Sequence, residues 1–144
     1  MCKHCKLLVA AFLLMFSLLA TAQEQQKVIK HTTAKPTSPA SGQQMYTSYC
    51  AVCHGKDGKG GGPAADALKV PPADLSALAK KNGGKFPSDH VSSVIRGEAN
   101  VPAHGSKEMP VWGPVFWRLS HGSSAVVQQR ISNLTSYVES LQAK

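Results

Sequence analysis

The stretch "CAVCHG", Cys50 to Gly55, holds two cysteines three positions apart with a histidine directly after the second. Behind it the chain reads "HGKDGKGGGP", five glycines and a proline in ten residues, which only a loop accommodates. Ahead of it Gly42, Tyr46, Tyr49 and Cys53 recur at helical spacing, so a helix is expected from about Ser41 into the motif. The cysteines and the histidine therefore share the end of a helix that must stop at once.

The rest of the chain is also helical in pattern. "VPPADL" is extended through Pro71 and Pro72, and Asp74 is placed to cap a short helix, "LSALAKK", that ends at Asn82-Gly83-Gly84. Ser88 is expected to cap "DHVSSVIR", whose Val91, Val94 and Ile95 share a face, with Gly97 closing it. A loop follows from Glu98 to Gly113, then a helical turn, "PVFWRL", with Pro114 at its first position. The strongest periodicity is in "SSAVVQQRISNLTSYVESLQ", where Val127, Ile131, Leu134, Val138 and Leu141 draw one apolar stripe. No segment reads as a strand, which predicts an all-α domain of few helices and long loops. With only 6 % aromatic residues, such a domain buries little by itself, and a bulky apolar group is needed to fill its middle.

The first 22 residues stand apart. Lys3 and Lys6 precede an apolar run from Leu7 to Leu19 that ends in Ala20-Thr21-Ala22. That is the pattern of a secretory signal peptide, cleaved after Ala22, and it points to the periplasm. A retained anchor is the alternative, but the run falls short of the ~20 residues that span a bilayer. Residues 23–40, "QEQQKVIKHTTAKPTSPA", are polar with two prolines and no apolar period, which predicts a flexible linker or tail. The folded domain is expected over 41–144.

Cleavage removes Cys2 and Cys5 and leaves Cys50 and Cys53, in a compartment where a bare thiol pair does not stay reduced. It also removes two lysines, taking the net charge from +8 to +6. A modest basic surface suits acidic docking partners or residence near anionic lipid. The scattered lysines lack the aromatic-rich basic stripe of a nucleic-acid binder.

Four chemistries use a C-x-x-C pair. Zinc needs four ligands, and the sequence has neither a second pair nor a following H-x₃₋₅-H. A redox-active dithiol belongs in a βαβ context, and strands are absent. A disulfide across two residues is strained and leaves His54 unexplained. Covalent haem attachment uses every member: two thioethers reach the two porphyrin vinyl groups, and His54 ligates the iron.

With Gly42, Tyr46 and Cys50 spaced by four, and Leu134 and Tyr137 on the last helix, residues 42–141 resemble a class I small monohaem c-type cytochrome of the bacterial, exported kind. The resemblance implies a cytochrome c fold wrapped around one covalently attached haem c, with the first and last helices crossing at Gly42. It also implies that a backbone carbonyl of Pro71 or Pro72 accepts from the His54 ring. The second axial ligand is expected from Met109, in the loop "KEMPVWG", since Met-Pro resembles the family's distal motif. Met45 lies one turn before Cys50 and cannot reach the opposite face. His104 is the rival, and His90 and His121 are expected on the surface. Trp112, Trp117 and Arg96 are candidates for propionate contacts, with Trp117 expected to pack on the porphyrin.

Filled axial positions leave iron no open site, which fits a single-electron carrier and not an enzyme. The partners implied are redox proteins, a respiratory complex or a periplasmic dehydrogenase, with membrane contact only peripheral or through a partner. Two alternatives remain open: a haem-carrying subunit of a larger oxidoreductase, and a haem enzyme or gas sensor with Met109 labile.

Overall fold

The computed structural model of the chain describes residues 33–99 and 110–143. The signal segment, His31, His104 and Met109 lie outside the described residues. The described residues form helices and loops, with no strand among them, as the patterning predicts.

The first helix starts where the sequence places it. Ser41 is the N-cap, its hydroxyl accepting from the Gln44 amide at 3.1 Å, and α1 runs over Gly42–Met45. It continues through a π-helical turn, Tyr46–Cys50, into α2, Ala51–His54. The wider turn was not legible in the sequence, and such turns frequently mark functional sites. Gly55, at φ 77, breaks the helix. A short 3₁₀ turn at Ala65–Ala67 interrupts what the sequence predicts to be plain loop.

Asp74 caps the next element as expected, accepting from the Ser76 amide at 2.9 Å and its hydroxyl at 2.6 Å. A 3₁₀ turn, Leu75–Ala77, leads into α3, Leu78–Lys81. In α4, Ser88–Arg96, the cap differs from expectation: Pro87 holds the N-cap position with no side-chain bond, and Ser88 is the first helical residue. Gly97 closes α4 in the left-handed region. Helix α5, Trp112–Leu119, begins two residues before Pro114. The last helix, α6, runs over Ser124–Ser140 from a Ser123 cap.

The core gathers around α6. Ile131, Leu134 and Val138 bury the predicted stripe, joined by Met45, Tyr46 and Phe116. α1 crosses α6 at Gly42, where a Cβ would lie 2.8 Å from the Asn133 carbonyl carbon and 2.9 Å from Tyr137 Cβ. Glycine is what permits that approach. The tilted ring pair Tyr46 and Tyr137, 5.2 Å apart, fills the space beside it.

The predicted tail needs correction at its end. Residues 33–40 are fastened to the domain: Asn133 donates to the Pro39 carbonyl at 2.9 Å, Arg130 to the Thr37 carbonyl at 2.9 Å, and Tyr49 to the Lys35 carbonyl at 2.5 Å. Reading the segment by apolar content overlooked this, because its attachment is through hydrogen bonds of backbone carbonyls, the Thr37 hydroxyl and the Ser38 amide. Among the described residues no helix is long and apolar enough to cross a membrane.

Candidate haem centre

Cys50, Cys53 and His54 all face one cavity, with walls from the 68–78 segment, α4, Trp112 and the Leu134–Val138 face of α6. The π-helical turn delivers Cys50, and α2 delivers Cys53 and His54. The glycine loop then folds back to satisfy carbonyls that a helix end leaves open. The Gly60 amide donates to His54 O at 2.8 Å, Gly62 to Cys53 O at 3.0 Å and Ala64 to Val52 O at 2.9 Å. A Cβ at Gly62 would sit 2.6 Å from the Cys53 carbonyl, so glycine at that position has a steric reason.

His54 is buried, and its Nδ1–H donates to the Ala73 carbonyl at 3.0 Å. That bond fixes the tautomer and the orientation of the ring, and makes Nε2 the nitrogen with a lone pair. The acceptor is Ala73 and not the expected Pro71 or Pro72. The Pro72 carbonyl lies instead against Gly60, whose absent side chain makes room for it, and both prolines line the cavity. Burial lowers the imidazole below its ordinary value and so favours the neutral form, an effect partly offset by the bond to the Ala73 carbonyl. Burial likewise pushes the Cys50 thiol up to about 12, with Cys53 adding to it, and raises Cys53. Tyr46 stabilises the turn from behind: its hydroxyl donates to Gly55 O at 2.7 Å, directly after His54. Burial is also the main cause that raises the Tyr46 phenol, so it stays a donor.

The remaining candidates separate. Trp112 is buried on the cavity wall, stacked on Tyr49 at 4.9 Å. Trp117 is half exposed and lies beside Gly122, so the expected packing on a porphyrin does not hold. Arg96 donates to Gln128 at 2.7 Å and neighbours Glu98 at 3.9 Å, away from the cavity lining. His90 and His121 are exposed, but His90 also contributes to the cavity rim, which helical spacing alone did not reveal. Met45 is wholly buried in the core, off the cavity. Tyr49, a cavity residue, was visible in the sequence only as a helix-period position.

The donor set fits haem. Both cysteines are free thiols, one turn apart, beside an oriented imidazole on a largely apolar wall. No cluster of three or more His, Cys, Asp or Glu that could hold a metal ion occurs among the described residues.

Helices folded around an apolar cavity, with a C-x-x-C-H turn at its wall, define the c-type cytochromes, haem proteins that transfer electrons. The chain belongs to the family described as cytochrome c oxidase, cbb3-type, subunit III, whose model matches residues 37–117. The match begins inside the fastened segment and ends within α5. No curated protein and no solved structure matches the chain.

Proposed function

We propose that the chain is a monohaem, class I c-type cytochrome, exported to the periplasm and cleaved after Ala22, that passes single electrons between redox proteins. The observation that carries this reading is the cavity wall on which Cys50, Cys53 and the Ala73-anchored His54 converge. Haem, when bound, supplies a one-electron couple whose potential depends on its axial ligands and surroundings. Cys50 and Cys53 hold it through two thioethers. His54 offers Nε2 with its ring orientation fixed, so the ligand need not move between redox states. Met109 is the proposed second ligand. The apolar walls from Leu68, Val91, Ile95 and Leu134 exclude water and lower the local dielectric. Exposed Lys56 and Lys59, in the loop after His54, put positive charge close to that wall, which suits an acidic partner surface.

The test is an optical spectrum of the purified protein, oxidised and reduced, with and without carbon monoxide. With His54 and Met109 both bound, the reduced protein resists carbon monoxide, and Met109→Ala binds it readily with a potential lower by about 0.1–0.3 V, within the range that axial ligands control. Rapid binding by wild type, unchanged in Met109→Ala, would leave the distal site natively open and favour the sensor or enzyme reading. His104→Ala is expected to change neither property.

A second reading, a haem-carrying subunit of a larger oxidoreductase, is favoured by the description of the matched family. Gel filtration of native extract separates the two: a free carrier elutes near its own mass, and a subunit elutes with its complex.

A further inference from the structure

Arg130 is 4 % exposed, on the inward side of α6, and the reading above gives it no role. A guanidinium stays charged at any accessible pH, and burying it is costly unless its donors are met. They are met here by neutral groups. Nε–H donates to Ser120 Oγ at 3.2 Å; one terminal nitrogen donates to Thr37 Oγ1 at 3.1 Å and Met45 Sδ at 3.7 Å. The other donates to the Thr37 carbonyl at 2.9 Å. The carbon of the guanidinium lies over the Phe116 ring, 5.9 Å from its centre. None of these partners carries a negative charge.

Two aromatic layers separate that charge from the cavity, Phe116 and then the rings that line it. Phe116 lies 6.0 Å from Tyr49 and 5.7 Å from Trp112, and both of those rings line the cavity. Hydrogen bonds make a second connection. Thr37 Oγ1 accepts from Arg130 and has its own proton to give to the Tyr49 hydroxyl at 2.8 Å. Tyr49 O–H in turn donates to the Lys35 carbonyl at 2.5 Å. Arranged this way, every donor in the chain points away from the guanidinium, so each bond polarises the next.

We propose that Arg130 is a potential-setting and positioning residue for electron transfer: its buried cation, with no charged partner among its described contacts, favours the reduced centre, and its hydrogen bonds hold the Tyr49 wall. The inference rests on the haem reading above. A reduced centre carries one positive charge fewer than an oxidised one, so a fixed nearby cation opposes it less. For a charge on the order of 10 Å from the cavity, at an effective dielectric of ~20, the ratio of reduced to oxidised protein changes roughly tenfold. For one electron that is about 59 mV. Salt does little to screen a buried charge.

The experiment is a spectroelectrochemical titration of holoprotein at low and high salt for wild type, Arg130→Lys, Arg130→Gln and Thr37→Asp. Arg130→Lys keeps the charge and is expected to keep the midpoint, whatever stability it loses. Arg130→Gln removes the charge, and Thr37→Asp sets a carboxylate against it. Both are expected to lower the reduced-to-oxidised ratio roughly tenfold at either salt concentration. If Arg130→Gln yields no holoprotein, Thr37→Asp reads the same quantity with the guanidinium in place. A wild-type midpoint in either variant overturns the proposal, and so does a fall in Arg130→Lys as large as in Arg130→Gln, which would leave Arg130 a merely structural residue. Failure of the underlying haem reading is distinguishable: wild-type protein would then carry no covalent haem and show no couple to titrate.

Discussion

Replacing Gly42 by alanine tests the crossing that holds the two ends of the chain together. The added methyl would lie 2.8 Å from the Asn133 carbonyl carbon, with the oxygen closer still, and 2.9 Å from Tyr137 Cβ. Ordinary carbon contacts lie at roughly 3.5–4.0 Å, so α1 and α6 must part by about 1 Å. The obstacle is mainly backbone, and no rotamer change relieves it. A gap of ~0.5–1 Å forfeits a quarter to a half of each dispersion contact along the seam. Overpacking of this kind costs ~1–3 kcal/mol, and the rigidity of the obstacle places Gly42→Ala near the upper end, about 3 kcal/mol. Urea unfolding followed by far-ultraviolet circular dichroism is the assay, and with a slope of ~1–3 kcal/mol per molar the midpoint falls by about 1–3 M. Gly61→Ala is the control, because nothing lies within 4 Å of its Cβ. Its midpoint is expected to hold or rise slightly, since alanine restricts the unfolded chain. Equal midpoints for the two variants would refute the account of the crossing.

Three further outcomes are expected. Cys50→Ala or Cys53→Ala leaves one thioether and little holoprotein, read by haem staining after denaturing electrophoresis; covalent haem in the double variant would put the attachment site elsewhere. Tyr46→Phe removes the 2.7 Å donor to Gly55 O, leaving that carbonyl the Gly58 amide at 3.3 Å, and costs ~1 kcal/mol in chemical denaturation; an unchanged midpoint would show that the hydroxyl does not stabilise the turn. Starting the chain at Ser41 removes the bonds to the Lys35, Thr37 and Pro39 carbonyls, each worth ~1 kcal/mol. A fall in thermal midpoint on the order of 10 °C is expected, and an unchanged midpoint would show these contacts to be energetically idle.

The elements with strong local signals were legible from sequence. The helix start near Ser41, the cap at Asp74, the stop at Gly55, the close at Gly97 and the stripe on α6 depend on neighbours within a turn or two. The convergence of Cys50, Cys53 and His54 on one wall was legible too, because the three fall within about one helical turn. What escaped depends on contacts far apart in the chain. Whether Pro71, Pro72 or Ala73 meets the imidazole is decided by how the Gly60 loop seats the Pro72 carbonyl, nineteen residues from His54 in the case of Ala73. Arg130 lies on the last helix among polar residues and reads as surface, yet partners 93 residues away bury it. Trp117 failed in the opposite sense: large and apolar, it reads as a packing residue, but it sits half in solvent.

The seam between Thr37–Pro39 and Arg130–Asn133 joins residues 93 and 94 apart, so its closure entropy must be met before its bonds give any return. A chain that emerges from the ribosome or a membrane pore amino end first presents Cys50, Cys53 and His54 long before Leu134 and Val138, two side chains of the opposite wall. Until the final helix arrives, the basin stands open on one flank. The last helix is therefore the element that completes the cavity wall, and the side chains it contributes there are made after Cys50, Cys53 and His54.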